Sequence, residues 1–315
     1  MNDSGSVSPR SVVITGATSG IGLATARLLA AAPGVTVVVP ARDAARGKRV
    51  ADEIGRVALP LDLADLASVR AFPAALDAAR LPPLHALLAN AGIQYTDRKH
   101  TTSDGFEATF GTNHLGHFLL IRLLLDRLAD DGRIAIVSSG THKRQRLRNG
   151  GYPPPSWADA RTLATPGEGS GQVAYATSKL ANAITAVELG RRIDDLRPGT
   201  RIAVHGVDPG LVPATGLARD YSPTGQRIYR ALAPAIAALM PGATTPERAA
   251  ANLAATALDP SYARGATNGA LPAGRWWEIA KDGAPSAEAQ DPQTGADLWR
   301  DSEALVGLAP APRPS

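Results

Sequence analysis

Short apolar runs alternate with longer amphipathic stretches from residue 11 to about residue 207. The runs at 11–15, 35–39, 57–61, 84–89, 133–138 and 201–207 are continuous rather than alternating, and they predict strands. Between them, apolar residues at helical spacing predict helices over 21–32, 43–54, 65–79, about 106–128 and 172–196. A strand that is apolar on both sides has to be covered on both faces, and a helix after nearly every strand supplies the cover. The expected fold class is α/β, a single doubly wound parallel sheet with right-handed crossovers. In such sheets ligands bind beyond the carboxyl ends of the strands, so the chemistry is expected in the residues that follow each run.

Two stretches interrupt the rhythm. Residues 141–171 are rich in Gly, Pro and charge and predict a long surface loop, while 210–245 opens with turn residues and becomes apolar, as a substrate lid would. Neither reads as a linker, so residues 11–308 are expected to form one domain, with disordered ends at 1–10 and 309–315.

Composition narrows the function. The 315 residues are 44% hydrophobic, carry 33 Lys+Arg against 29 Asp+Glu, and include no cysteine, which removes disulfides, thiolate nucleophiles and cysteine-based zinc sites. A reducing cytoplasm suits such a chain. A net charge of +4 is a weak field over this length, and the one dense basic run, Lys143 to Arg148, has no aromatic residue interleaved, so no nucleic-acid partner is expected. The apolar run at 228–240 is too short to span a bilayer and contains Arg230 and Pro234, so no membrane span is expected either. His114 and His117 lie three apart on a helix, but no nearby acid completes a metal site, and none is expected. Trp276, Trp277 and Trp299 read as core or lid packing.

The first strand runs into Thr15-Gly-Ala-Thr-Ser-Gly-Ile-Gly22. Glycines in a strand-to-helix turn let backbone N–H groups approach a pyrophosphate, although an ordinary tight turn would use them too. Beyond the second strand stands Arg42, where an acid would bind both ribose hydroxyls of NAD and an arginine can pair with the 2′-phosphate of NADP. Asp43 reads instead as the N-cap of the next helix. Tyr175 and Lys179, one turn apart on a helix, share a face. A lysine charge so placed draws a tyrosine, which titrates near 10 when free, toward neutrality, where general acid–base catalysis works best. Taken alone, such a pair also arises by chance on many amphipathic helices.

Together with Asn90-Ala91-Gly92, Asn113, Ser138-Ser139 and Pro209-Gly210, these elements stand in the order and at the strand ends that resemble the short-chain dehydrogenase/reductase superfamily, with its Rossmann-type fold. Thr112-Asn-His-Leu-Gly-His-Phe118, Ser178-Lys-Leu-Ala-Asn182 and Leu298 to Gly307 resemble its retinol-dehydrogenase-like and protochlorophyllide-reductase-like branch. The resemblance implies that Tyr175 moves the proton, that Lys179 lowers its pKa and holds the nicotinamide ribose, and that Ser139 hydrogen-bonds the substrate oxygen. It implies that Asn113 kinks its helix and holds a relay water. For the cofactor it implies Gly16, Thr18, Ser19, Gly20, Ile21 and Gly22 at the pyrophosphate, Arg42 at the 2′-phosphate and Asp62 with Leu63 at the adenine. Asn90, Ala91 and Gly92 would line the adenosine ribose, and Pro209, Gly210 and Val212 the nicotinamide. Two departures stand out: Ala214 occupies a place where relatives often carry threonine, and Ser139 lies unusually far before Tyr175.

The expected function is that of an NADP(H)-dependent oxidoreductase, a ketoreductase or alcohol dehydrogenase of secondary metabolism acting on a bulky hydrophobic carbonyl or secondary alcohol. The alternatives are reduction of an activated C=C bond and a non-catalytic NADP(H) sensor. A homodimer through the helices at about 106–128 and 172–196, or a monomer, would both suit the resemblance.

Overall fold

A computed structural model describes residues 8–54, 56–145, 151–210, 212, 244–265, 271–278 and 281–311. Its strands are β1 (Arg10–Ile14), β2 (Val35–Ala41), β3 (Val57–Pro60), β4 (Leu84–Ala89), β5 (Asp97–Arg98), β6 (Leu128–Val137), β7 (Gly167–Ser170), β8 (Ala203–Asp208), β9 (Trp276–Glu278) and β10 (Lys281–Asp282). Eight of them form one sheet in the order β10-β9-β8-β6-β4-β1-β2-β3, and β5 pairs with β7 in a small second sheet. Every pairing in the large sheet is parallel except β9 with β10. The chain therefore builds outward from β1 in both directions. The crevice at the carboxyl ends of β1 and β4, where that direction reverses, is where a ligand would sit.

The helices are α1 (Gly20–Ala30), α2 (Ala44–Ile54), α3 (Leu66–Ala78), α4 (Ala108–Phe110), α5 (Gly116–Leu124), α6 (Ala160–Ala164), α7 (Gly171–Leu196), α8 (Pro246–Leu258), α9 (Ala287–Gln290) and α10 (Pro292–Leu305). Successive side chains of a strand point to opposite faces. Val13, Val38, Leu87, Ile134 and Val204 accordingly pack with α3, α5, α7 and α10. Their neighbours Val12, Val37, Leu88, Ala135 and Val207 pack with α1 and α8 on the other face. Two layers of helix are the physical reason the strands read as unbroken apolar runs.

Several boundaries differ from expectation. The strand expected from 133 begins at Leu128, because its first residues pair with β4 through a register shift at Leu84/Ala86. Residues 141–171 hold α6 and β7 rather than only loop. Arg10, assigned to a disordered N-terminus, opens β1 and its amide donates to Gly34 O. Ala311, assigned to a disordered tail, donates its amide to Glu303 Oε1 at 3.1 Å. The expected lid at 210–245 lies outside the described residues apart from Gly210, Val212, Thr244 and Thr245. Trp276 belongs to the core: it is fully buried on β9, and its ring lies against Gly206 of β8, where a Cβ would come within 2.1 Å of it.

The C-terminal α10 is held by a buried polar cluster. The ring of Trp299 lies between the guanidiniums of Arg122 and Arg192, 5.2 and 5.1 Å from its centroid, and meets Phe118 edge-on. Its indole N–H donates to Glu303 Oε1 at 2.9 Å, and Arg122 donates to the same carboxylate. Removing a buried Trp commonly costs about 3–5 kcal/mol. Trp299→Ala should therefore lower the unfolding free energy by about that amount in urea titration, and an unchanged midpoint would show that α10 is not structurally coupled to α5 and α7.

Buried imidazoles make a second prediction. Burial pulls His114 and His205 down to about 3 and His117 and His142 down to about 4, so all four are neutral in the folded protein. In the unfolded chain a histidine takes up a proton near 6.5. As pH falls below that value the unfolded state binds protons that the folded state refuses, and stability drops. Asp208, pushed up to about 6, and Glu107, raised by burial, act in the opposite sense, but two carboxyls do not outweigh four imidazoles. The urea midpoint should fall steadily from about pH 7 to about pH 5; a constant or rising midpoint would contradict these protonation states.

Candidate functional site

A cleft of about 640 Å³ opens over the carboxyl ends of β1, β4, β6 and β8. Its first wall is the glycine turn. Gly16 and Gly20 adopt positive φ, 72° and 56°, which turns the chain sharply into α1. Gly22 is pressed so close that a Cβ would lie 2.4 Å from Gly16 O. The turn is anchored from below by Thr15, whose hydroxyl accepts the amides of Asn90 and Ala91 at 2.9 and 3.0 Å. That hydroxyl in turn meets His117 Nε2 at 2.9 Å, while His117 Nδ1 lies 3.0 Å from Asn113 O. A carbonyl only accepts, so His117 carries its proton on Nδ1 and receives the Thr15 hydroxyl proton on Nε2. The two histidines of the helix are thus structural. His114, for its part, bonds Ser302 of α10 at 2.8 Å, and among the described residues no group of His, Cys, Asp and Glu is arranged to hold a metal ion.

Between α4 and α5 the helix widens into a π-turn, Gly111–Leu115. This is the irregularity expected at Asn113, and such turns recur at functional sites. The Asn113 side chain exchanges two hydrogen bonds with the backbone of Ile93, at 2.8 and 2.9 Å, and donates to Ser178 Oγ at 3.0 Å. Ser178 in turn donates to Tyr175 O, so Asn113 fixes both the strand end after β4 and the start of α7. Asn113 is completely buried, one layer behind the cleft wall.

The far end of the cleft belongs to α7. Tyr175 and Lys179 both line it, with Lys179 Nζ 5.6 Å from the tyrosine ring centroid and donating to Val137 O at 3.1 Å. Burial pulls the lysine down to about 8, and the negative charge of Asp208 opposes that fall, so the ammonium still predominates at neutral pH. Ser138 and Ser139 part company here. Ser138 is buried and donates to Lys179 O at 2.7 Å, whereas the half-buried Ser139 lines the cleft as the N-cap of a short 3-10 turn. Apart from Asn113, every residue expected at the site from the sequence lies along this one cleft.

The structure adds residues that the sequence reading passed over. Arg46, one turn into α2, lines the cleft beside Arg42 and donates to Thr18 O at 3.1 Å, so Arg42 is not the sole cation at the end of β2. The signal was available, since residues 42 and 46 are a helical turn apart. Asp43 accepts the amide of Arg46 at 3.0 Å, the capping contact expected of it, which holds its carboxyl below the usual range. From the long 141–171 segment, Tyr152 reaches the cleft, stands edge-on to Tyr175 at 6.0 Å and donates to Gln94. Lys143, Asp208, Glu278 and Lys281 also line this end. Lys143 was read only as the start of a basic run, Asp208 carried no periodic signal, and Glu278 and Lys281 come from strands of three and two residues, too short to read. The geometry can hold an extended dinucleotide from the Arg42 end to Tyr175 and deliver a proton at its far end.

Residues 10–153 match the family model described as short chain dehydrogenase. The protochlorophyllide reductase of Avena sativa is 35% identical, the match covering 95% of this chain and 100% of that protein. The chloroplastic protochlorophyllide reductase A of Arabidopsis thaliana is also 35% identical, over 95% of this chain and 77% of that protein. Among solved structures, a putative uncharacterized protein from Mycobacterium paratuberculosis aligns with a TM-score of 0.61 and 32% identity, over 96% of this chain and 94% of that one. A blue fluorescent protein in complex with NADPH aligns with a TM-score of 0.59 at 23% identity, which speaks to the fold alone. With matches of this length and identity, the chain belongs to the short-chain dehydrogenase/reductase superfamily of oxidoreductases, in its protochlorophyllide-reductase-like branch.

Proposed function

We propose that the protein is an NADP(H)-dependent reductase that transfers hydride to the carbonyl of a bulky hydrophobic substrate, or from the corresponding secondary alcohol, with Tyr175 as general acid or base. The observation that carries the reading is the convergence of Tyr175, Lys179 and Ser139 at one end of a cleft that starts at the glycine turn. The residues present fit the cofactor. The cradle at Gly16 and Gly22 admits no side chain, and Arg42 and Arg46 supply two guanidiniums where a 2′-phosphate would lie. Gly16, Thr18, Ser19, Gly20, Ile21 and Gly22 would hold the pyrophosphate. Asp62, Leu63 and Asn90 to Gly92 would hold the adenosine, and Pro209, Gly210 and Val212 the nicotinamide.

The chemistry supplied by the bound dinucleotide is hydride transfer at its nicotinamide. In reduction, Ser139 Oγ donates to the substrate oxygen and orients it, while Tyr175 delivers the proton from its hydroxyl. The Lys179 charge stabilises the phenolate left behind, and Asn113 keeps Lys179 and Tyr175 in register through Ser178. Tyr152, edge-on to Tyr175, shields the reacting end from water. Ile93, Tyr152 and Val212 give that end apolar surface, and Lys143 and Lys281 give it basic groups. The apolar sequence at 217–240, which suggests a hydrophobic substrate, lies outside the described residues.

Reduction of an activated C=C bond is the second reading, favoured by the identity to proteins named protochlorophyllide reductase. Tyr175 would then protonate carbon rather than oxygen, and product analysis separates the two. Among the described residues no helix is long and apolar enough to cross a membrane. The cytoplasm is the proposed location, several plant relatives being named as chloroplastic. Homodimer formation through α5 and α7 would have to displace α10, which Trp299 and Glu303 clamp onto Arg192 of α7 and Arg122 of α5.

Two experiments test the reading. Tyr175→Phe keeps the ring and removes the proton, so turnover followed by nicotinamide absorbance should fall by about 10²–10⁴-fold while NADPH binds within a few-fold of the parent; near-parental turnover would end the proposal. For the cofactor, Arg42→Ala and Arg46→Ala should each weaken NADPH by about 10–150-fold, the worth of a hydrogen bond to a charged group, and leave NADH nearly unchanged. Ala41→Asp combined with Arg42→Ala should turn preference toward NADH. A parent that already prefers NADH would overturn the assignment.

A further inference from the structure

The ring of Tyr175 has two neighbours at the cleft. Lys179 Nζ lies 5.6 Å from its centroid, and the half-buried ring of Tyr152 stands 6.0 Å away at an interplanar angle of 64°. Tyr152 is itself fixed twice. Its hydroxyl donates to Gln94 Oε1. Its backbone runs directly into Pro153, Pro154 and Pro155, whose rings lock φ and stiffen the arm. The next residue, Ser156, donates its amide to Thr177 Oγ1 of α7 at 3.0 Å. Gln94 rests on an equally firm support. Ile93 before it exchanges two hydrogen bonds with Asn113, and Thr96 beyond it accepts the amide of Gly171, the first residue of α7, at 3.1 Å. Gly171 is packed so tightly there that a Cβ would lie 1.9 Å from Tyr95 O. Asn113 also donates to Ser178, which donates to Tyr175 O. The contacts close a circuit. From Asn113 they run through Ser178 to the backbone of Tyr175, and through Ile93, Gln94 and Tyr152 to its side chain.

We propose that Tyr152 is a positioning residue: tethered to Gln94, it holds the ring of Tyr175 so that the phenol oxygen stays aimed at the reacting end of the cleft. The restraint on the ring follows from the contacts; its effect on turnover rests on the reductase reading. A tyrosine oxygen lies on the axis about which its ring flips, so flipping leaves it in place. Only a swing about χ1, from one staggered well to another, carries it away. A second ring set edge to face against the first is a favourable arrangement and resists that swing. The tether matters because the proline arm fixes only the backbone of Tyr152, and the hydrogen bond to Gln94 fixes the far end of its side chain. A reacting group displaced by about 1 Å can cost on the order of 10²-fold in rate.

A double-mutant cycle tests the tether. Tyr152→Phe keeps the ring and removes the hydroxyl, and Gln94→Ala removes the acceptor. Each should lower kcat by about 3–10-fold, with KM and the NADPH dissociation constant within about twofold of the parent. The double variant should be no slower than the slower single, because both changes delete the same interaction. Tyr152→Ala, which removes the ring as well, should lower kcat by on the order of 10²-fold. Losses that multiply in the double variant would overturn the proposal, as would parental kcat in the singles. So would a rise in KM alone, which would make Tyr152 a substrate contact. A second readout needs no substrate. In fluorine NMR of the fluorotyrosine-labelled protein, the signal of Tyr175 is the one of six that Tyr175→Phe deletes. It should move in the same direction in Tyr152→Phe and in Gln94→Ala, while the Tyr262 signal stays in place. A Tyr175 signal unmoved in either variant would overturn the proposal. A parent that turns over no carbonyl substrate would refute the reductase reading, and the fluorine signal would still decide for or against the tether.

Discussion

A lysine ammonium buried at the carboxyl edge of a parallel sheet is the constraint around which the rest of this protein is organised. Lys179 is 3% exposed, and taking a cation out of water is costly unless other groups compensate it. Val137 O accepts from it at the end of β6, and the Asp208 charge stands at the end of β8. Those two strands are neighbours, so the ammonium sits over the seam between them. The sheet order determines which backbone carbonyl is available, and α7 has to cross that seam at the right turn. The compensation is partial, because burial still outweighs it, and partial compensation leaves the lysine charged but poised. A charge that is held but not fully neutralised is the kind that can act on a neighbouring phenol.

The same economy of backbone contacts links the two ends of the cleft. From Thr15 under the glycine turn, hydrogen bonds run through His117 to Asn113, and from Asn113 through Ser178 to the backbone of Tyr175. Each member is buried and each polar atom in the chain has a partner, so the network is rigid as well as satisfied. The π-turn is what makes it fit. One extra residue in the turn brings the Asn113 side chain level with Ile93 while His117 still faces Thr15. The neutral state of His117 is part of the design, since a second proton would leave Nε2 unable to accept from the threonine.

Much of the parallel core was legible because burial on two faces leaves an unmistakable apolar run, as at Val12–Val13–Ile14 and Leu87–Leu88–Ala89. The glycine turn and the Tyr175/Lys179 pair were legible for a related reason, as short-range patterns fixed by φ angles and by one helical turn. What escaped depends on long-range partners. The strands β9 and β10 are three and two residues long, and nothing local distinguishes Trp276 in a strand from Trp276 in a loop. Tyr152 enters the cleft from a segment that Ser156 holds beside α7, its amide donating to Thr177 Oγ1. Asp208 looks like one more turn-forming Asp before Pro-Gly. Its environment is set by Glu278, 70 positions later along the numbering, which no window on the sequence could reveal.

The polar clamp on α10 carries a consequence for how this protein is made. The inner face of α7 carries Tyr175 and Lys179, while its outer side receives Trp299, whose ring is gripped by Arg192 of α7 itself. Until residues near 299 have been synthesised, Arg192 and Glu188 lack the surroundings that keep them dry. β8 likewise lacks the Trp276 ring that covers Gly206. The glycine turn and the first strands can assemble early on the ribosome, as N-terminal units generally do. α7 cannot settle until residues near 299 have emerged. Nascent chains should therefore acquire the glycine turn well before the end of the cleft that holds Tyr175 and Lys179 is in place.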